Sequence, residues 1–312
     1  MRFATCVVVA IVSERPGLQR VDLDSGRKAY VLTKLIGPVE AGDRVVVNTT
    51  AVDLGLGTGG WDVVHWNLSR DEWSGPSGGQ VMKLRYTSLQ VDTGAAEEEG
   101  LGLPADLGGK PVIVCDVHSQ LAPVAAGFAG EAPGRRLSFV MTDSAALPLA
   151  LSDLVATLCE RRLLHETITC GQAFGGDREA VGVPSAMLMA GGDAIVVAPG
   201  PGVVGTGTRL GFSSVAMASV IDVTAVLGGR PIVAVRYSGA DARPRHRGRS
   251  HHTATVLGMA SHDALAPVPE EGWAGPAFAF EVAAMGRGPD EDPEFFRYAA
   301  AAGRAAAQLL SD

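Results

Sequence analysis

AIVVAPGPGVVGTGTRLGFSSVAMASVIDVTAVLGGRPIVAVR, residues 194–236, is the stretch whose reading decides the fold. An apolar run (194–199) leads into a loop with five glycines (Gly200, Gly202, Gly205, Gly207, Gly211) and two threonines (Thr206, Thr208). An apolar-periodic segment and a second apolar run follow. The order is strand, glycine-rich loop, helix, strand, the unit from which parallel sheets are built. Glycines let backbone N–H groups approach an anion, and a helix opening behind them would turn its positive end toward it.

Working outward, the same rhythm holds from Pro111 onward. PVIVC (111–115), RLSFVMT (136–142) and ETITC (166–170) read as buried strands. Helices are expected over 119–128, over 145–164 with Asp143 or Ser144 as cap, over 212–227 and over 293–310. Residues 177–190 are ambiguous, because Gly182 and Pro184 interrupt them. Residues 1–91 read differently. CVVVAIVSE, GLQRVDLD, KAYVLTKLI, DRVVVNTTA and VMKLRYTSLQ alternate or run apolar between turn residues, as in a small barrel. His65, Lys83, Arg85 and Tyr86 are expected on exposed strand faces. Residues 92–110, with Glu97, Glu98, Glu99 and Pro104, read as a linker. The expected fold is therefore α/β: a Rossmann-like three-layer parallel sheet (111–312) behind a small all-β, barrel-like domain (1–91).

The bulk numbers narrow the function classes. The chain has 312 residues, enough for two cores, and a net charge of −8, which argues against general nucleic-acid binding. Its apolar runs are too short to cross a membrane. Residues 1–17 have a signal-like apolar stretch, but Ser13-Glu14-Arg15-Pro16 follows it in place of a cleavage site, so the first strand is the better reading. Cys6, Cys115, Cys159 and Cys170 form no CxxC pair, which suits reduced thiols in a cytoplasm. The oligomeric state is open, a homo-oligomer included.

In a parallel sheet, ligands bind beyond the carboxyl ends of the strands. Five sets of residues should meet there: Asp116, His118, Ser119 and Gln120; Thr142, Asp143 and Ser144; Cys170, Gly171 and Gln172; the Gly/Thr loop; and residues 238–253. The last set is the most unusual. Residues 236–252 hold five arginines (Arg236, Arg243, Arg245, Arg247, Arg249) and three histidines (His246, His251, His252) against one acid, Asp241. Counting arginine and aspartate, the segment is +4 and the remainder −12, since −12 + 4 = −8. Arginine forks match phosphate and carboxylate, so a small anionic partner is expected; the alternative is a solubilising loop paired with acidic neighbours.

The candidate catalytic residues are Asp116, His118, Asp143, His246 and His251. The candidate ligand-binding residues are Gly202, Gly205, Thr206, Gly207, Thr208, Arg236, Arg245, Arg247 and Gln172. A divalent metal could use His118, Asp143 and His251, although the spacing matches no metal motif. His251 and His252 would point to opposite sides of an extended chain, so one of them at most is expected in a given site. Cys170 or Ser119 could act as a nucleophile, but a cysteine at a strand end is more often packing. Gly200-Pro201-Gly202-Val203-Val204-Gly205 matches GxGxxG, yet Arg236-Tyr237-Ser238 stands where a dinucleotide fold has its acid.

LGTGG (56–60), LRYTSLQ (84–90), DVHSQ (116–120), MTDSAALP (141–148), GQAFGGD (171–177), GPGVVGTGTRLGFSS (200–214) and RPRHRGRSHHT (243–253) together resemble the motif set of a bacterial family called domain of unknown function 3866. The resemblance implies a bacterial, mainly actinobacterial, protein and no assigned activity. Three functions stay open: an enzyme acting on a small anionic molecule, phosphorylated compounds included; a non-catalytic sensor or partner-binding protein using the same pocket; and a scaffold. The first needs His118, Asp143 and a loop histidine to converge. The second needs only the arginines and the Gly/Thr loop to do so.

Overall fold

The computed structural model describes residues 1–57, 59–75, 77–100 and 102–311. Thr58 of the LGTGG motif, Pro76, Leu101 in the expected linker and Asp312 lie outside the described residues. The chain divides into two compact units, Met1–Gly94 and Ala95–Asp312.

In the first unit, β1 (Phe3–Arg15), β2 (Leu18–Leu23), β3 (Lys28–Val31), β4 (Arg44–Asn48) and β5 (Trp61–Asn67) close a barrel in the order β1-β2-β3-β5-β4. Two one-turn helices, α1 (Thr33–Ile36) and α2 (Thr50–Asp53), sit in the connections. Alternation explains the barrel: Val21, Leu23, Ala29, Val31, Val45, Val47 and Val64 share one buried core. KAYVLTKLI is strand only to Val31 and then turns into α1. The strand expected over Val81–Gln90 shrinks to β6 (Met82–Lys83), paired with β7 (Val91–Asp92). Leu84 and Tyr86 have φ of 52° and 59°, which no strand can contain. Tyr86 is fully exposed, but Lys83 is buried, contrary to expectation.

The second unit is built on β8 (Pro111–Cys115), β9 (Leu137–Thr142), β10 (Glu166–Cys170), β11 (Arg178–Ala180), β12 (Ala194–Pro199) and β13 (Arg230–Ala234), in the order β11-β10-β9-β12-β8-β13. Every pairing is parallel. Numbered along the chain from β8, the sheet reads 4-3-2-5-1-6. Its inner strands β8 and β12 are apolar at successive positions because both faces are covered. Ile113, Phe139, Met141, Val196 and Ile232 pack on one side with α3 (Leu121–Glu131), α4 (Asp153–Glu160) and α8 (Pro293–Gln308). Val112, Val114, Val140, Ile195 and Val233 pack on the other with α5 (Val183–Met189), α6 (Met217–Val226) and α7 (His251–Met259). The ambiguous stretch 177–190 holds both β11 and α5, with Pro184 in the first turn of α5, where no N–H is missed. Ala96–Glu99, inside the expected linker, form a 3-10 turn of the second unit. Among the described residues no helix is long and apolar enough to cross a membrane.

Two helices start later than expected. α4 begins at Asp153, and its cap is Ser152, whose Oγ accepts from Val155 N at 3.0 Å. Leu147 and Leu149 instead make backbone bonds with Phe174, which keeps 145–148 out of a helix. Asp143 is therefore not a cap. α6 begins at Met217, after a 3-10 turn over Ser213–Ala216, so its positive end does not open directly on Gly211.

α3 and α8 meet backbone to backbone. A Cβ on Gly303 would stand 2.0 Å from Val124 O, and one on Gly127 would stand 2.2 Å from Ala300 O. In an unconstrained helix, Gly→Ala stabilises by about 1 kcal/mol. Here Gly303→Ala should destabilise by about 2 kcal/mol through overpacking. Urea denaturation checks it, and an unchanged or raised midpoint would show that the helices are not in this contact.

Candidate functional site

The sheet is parallel, so the residues after β8, β9, β10, β12 and β13 lie along one edge. Their side chains do not all meet. His118, in a 3-10 turn after β8, is buried: its Nδ1 lies 2.9 Å from Pro199 O and its Nε2 2.7 Å from Ser152 Oγ. A carbonyl only accepts, so Nδ1 carries the proton and Nε2 accepts from Ser152. Both ring nitrogens are thus spent on joining the end of β8 to the end of β12 and the start of α4. Burial pushes the His118 pKa from 6.5 down to about 4, so the ring is neutral. Asp143 is exposed, and its Oδ2 accepts from Gln172 N at 2.9 Å. It borders a cleft of about 190 Å³ with Ser144, Met217 and Val220. Cys170 is buried packing whose thiol faces Met141 O.

A different set does converge. After β13 the chain forms β14 (Tyr237–Ser238), crosses a 3-10 turn at Pro244–His246, returns as β15 (Gly248–Arg249) and enters α7 at His251. Ser250 caps α7, its Oγ accepting from His252 N, and lies 2.8 Å from His246 Nδ1. This turn-and-cap geometry gathers all three imidazoles: ring centroids are 4.5 Å apart for His251–His252, 4.9 Å for His246–His252 and 5.0 Å for His246–His251. One ring nitrogen from each lies within 4.8 Å of the others. His251 and His252 therefore join the same site. They sit in the first turn of a helix, where neighbours diverge by about 100° and not 180°. Among the described residues this is the cluster able to hold a metal ion, and His118 and Asp143 are not part of it.

The cluster is framed by charge. Arg236 is buried, with Nη1 3.1 Å from His252 Nδ1 and Nη2 3.1 Å from Met285 Sδ. Its backbone N donates to Thr253 Oγ1, which donates in turn to Asp116 Oδ2 at 3.0 Å. Asp116 Oδ1 is buried without a hydrogen-bond partner. Burial raises the Asp116 pKa from 3.8 to about 6, against the opposing pull of Arg236 and Thr253. Burial, and then Arg236, lower His246 and His252 to about 3. Burial, and then Arg245, lower His251. All three rings are neutral at pH 7. Gln120 positions this corner: Oε1 accepts from the backbone of Asp116 and Val117, and Nε2 donates to Ala234 O, so the ends of β8 and β13 are tied together.

The Gly/Thr loop reaches the same place. Phe212 stacks on His252 with centroids 3.8 Å apart and planes at 6°. A Cβ on Gly207 would stand 3.5 Å from the guanidinium carbon of Arg245, so that arginine lies against the loop. The loop is closed on itself: Thr206 N and Oγ1 donate to Gly211 O, Gly211 N donates to Thr208 Oγ1, and the two threonine hydroxyls are 2.9 Å apart. Gly202 and Gly207 have φ of 86° and 84°. Arg247 is exposed. Arg243 is anchored to Asp241 through Nε and Nη2 at 2.9 and 2.8 Å, and Arg287 bridges Asp241 and Asp292. Part of the cationic segment is thus paired with acids, as the alternative reading required. Ser152 is the supporting residue that motif reading passed over; Gln120, Ser250 and Thr253 lie within the expected edge sets, but nothing in the motifs gave them a supporting role. Ser152 and Ser250 each carried a signal, a serine able to cap a helix before an apolar segment.

The buried neutral His118 sets a pH dependence. Its folded pKa lies below its unfolded one, so the unfolded chain binds more protons between pH 6.5 and about 4, and stability falls as pH drops through that window. His118→Gln should unfold at lower urea at pH 7 and show a shallower loss toward pH 4. Parallel slopes for the two proteins would rule out a buried neutral imidazole.

No curated protein matches the chain. The model of the family described as "Protein of unknown function (DUF3866)" matches residues 28–274, from the third barrel strand to beyond α7 and including the whole histidine cluster. That span is well over half of the sequence, and the chain belongs to this family.

Proposed function

We propose that the protein is an enzyme acting on a small anionic molecule, phosphorylated in the first instance, bound at the carboxyl edge of the parallel sheet. One observation carries the reading: Arg245 lies against Gly207 while Phe212, at the far end of the same loop, stacks on His252. Arg245, the Gly/Thr loop and His252 are therefore contiguous. Arg245 offers a planar fork for phosphate or carboxylate, and buried Arg236 supplies a fixed positive charge behind it. Asp116 is the acid–base group, since its pKa of about 6 suits proton transfer near neutrality. The sheet is Rossmann-like in the broad sense of parallel strands with helices between them. Its 4-3-2-5-1-6 order and the arginine at position 236 favour a small phosphorylated compound over a dinucleotide.

The second reading is a non-catalytic sensor working in the cytoplasm. It is favoured by one fact: His118 and Asp143, expected among the catalytic groups, are held elsewhere by Pro199, Ser152 and Gln172.

A thermal-shift series with inorganic phosphate, sugar phosphates and mononucleotides tests both. A ligand at about 100 times its Kd adds about 2.7 kcal/mol, which for a unit of this size is a rise of about 5–10 °C. The rise should vanish in Arg245→Ala, whose own melting temperature should match the parent because Arg245 is exposed. Conversion of the bound compound on incubation supports the enzyme, and its recovery unchanged supports the sensor. If no anion shifts the melting temperature, both readings fail.

A further inference from the structure

We propose that His246, His251 and His252 form a binding site for a divalent transition-metal ion of the zinc class, and that loading it releases Arg236 from His252. Three independent observations meet here. The first is convergence: one nitrogen from each ring lies within 4.8 Å of the other two. An ion holding imidazoles at about 2.0–2.1 Å wants those nitrogens about 3.3 Å apart, a closure that small side-chain rotations supply.

The second is an orphan. His251 Nε2 is buried and has no hydrogen-bond partner. A buried polar atom left without a partner costs about 1–3 kcal/mol, and a metal ion would satisfy it. The third is bracing. His246 Nδ1 is held by Ser250 Oγ, leaving Nε2 for an ion, and the His252 ring is clamped face to face by Phe212. Ligating histidines are commonly fixed through their other nitrogen in this way. Imidazole-only sites suit zinc, copper, iron and nickel more than magnesium or calcium. Three protein ligands also leave a coordination position open, as catalytic centres do.

Arg236 makes the site a two-state one. A guanidinium only donates, so its 3.1 Å bond to His252 Nδ1 keeps that nitrogen unprotonated and leaves the ring proton on Nε2. Ligation ends the bond either way. At Nδ1 the ion takes the lone pair; at Nε2 the proton moves to Nδ1, which then cannot accept. The freed guanidinium has Asp116 beside it, with a buried, unpartnered Oδ1. In so far as the anion-binding reading holds, and this clause rests on it, an oxygen of that anion is the fourth ligand and offsets the added charge.

The test uses the full chain, stripped with chelator and titrated with Co²⁺, whose visible bands report imidazole ligation, with Zn²⁺ in competition. One ion per chain should bind. His251→Ala should weaken binding by at least about 100-fold, the upper range for losing even a ligand's hydrogen-bonding partner. His65→Ala, in the barrel, should leave it unchanged. His251 is only partly buried, and the metal-free melting temperature of the variant verifies its fold; His251→Asn serves if alanine unfolds it. Absence of Co²⁺ bands, or bands that survive loss of His251, overturns the proposal. Phosphate thermal shifts on the stripped protein separate the two ideas. A surviving shift without Co²⁺ binding sinks the metal and keeps the anion, whereas Co²⁺ binding without a phosphate shift keeps the metal and sinks the anion.

Discussion

A parallel sheet with helices on both faces leaves polar chemistry little room except at the ends of its strands. The inner strands β8 and β12 are apolar at successive positions, and their ladders are satisfied by neighbours on both sides. The groups that can react are displaced to where each strand stops. That constraint explains why Asp116, Asp143, Gln172, the Gly/Thr loop and Arg236 share an edge although they lie far apart along the chain. It also explains why Gln120 matters: at this edge the backbone groups of Asp116 and Val117 have left the ladder and take a buried side chain as their partner.

Around Arg236 a second constraint acts. An arginine keeps its charge in a protein, so burying one obliges its surroundings to adapt. The neighbouring imidazoles stay neutral, Asp241 binds Arg243 in the segment that follows, and Arg287, from later in the chain, bridges Asp241 and Asp292. Asp241 is held well below the ordinary carboxylate range by its bonds to Arg243. The positive charge of this segment is thus divided between arginines committed to the fold and exposed ones, such as Arg245 and Arg247, turned toward solvent.

Much of the frame was legible in the sequence. PVIVC, RLSFVMT, AIVVAP and the run after Arg230 read as strands because burial on both faces leaves uninterrupted apolar runs. The barrel was legible because burial on one face leaves alternation. Helix starts were less so. Asp143, Ser144 and Ser152 all suit a cap, and only the bonds to Phe174 decide among them. The candidate site was half legible. Arg236, Arg245, His246 and His251 belong to one cluster, but His118 has the composition of a catalytic residue and the environment of a structural one. An extended chain would turn His252 away from His251, but here the chain begins a helix. Whether neighbouring side chains diverge by a half-turn or by about 100° is a matter of local backbone, and the adjacent letters HH are the same in both cases.

The 4-3-2-5-1-6 strand order carries a consequence for biosynthesis. β12 lies between β8 and β9, so the first strand of this sheet cannot find its place until the fifth has been made. As the polypeptide leaves the ribosome, the barrel of residues 1–94 has all its partners early and can close on its own. The nascent sheet must wait with β8 and its apolar surface unpaired. Domains dominated by distant pairings fold slowly and are exposed to aggregation meanwhile. For this chain that interval spans the translation of residues 116–193, and it is the stage at which a chaperone would have most to hold.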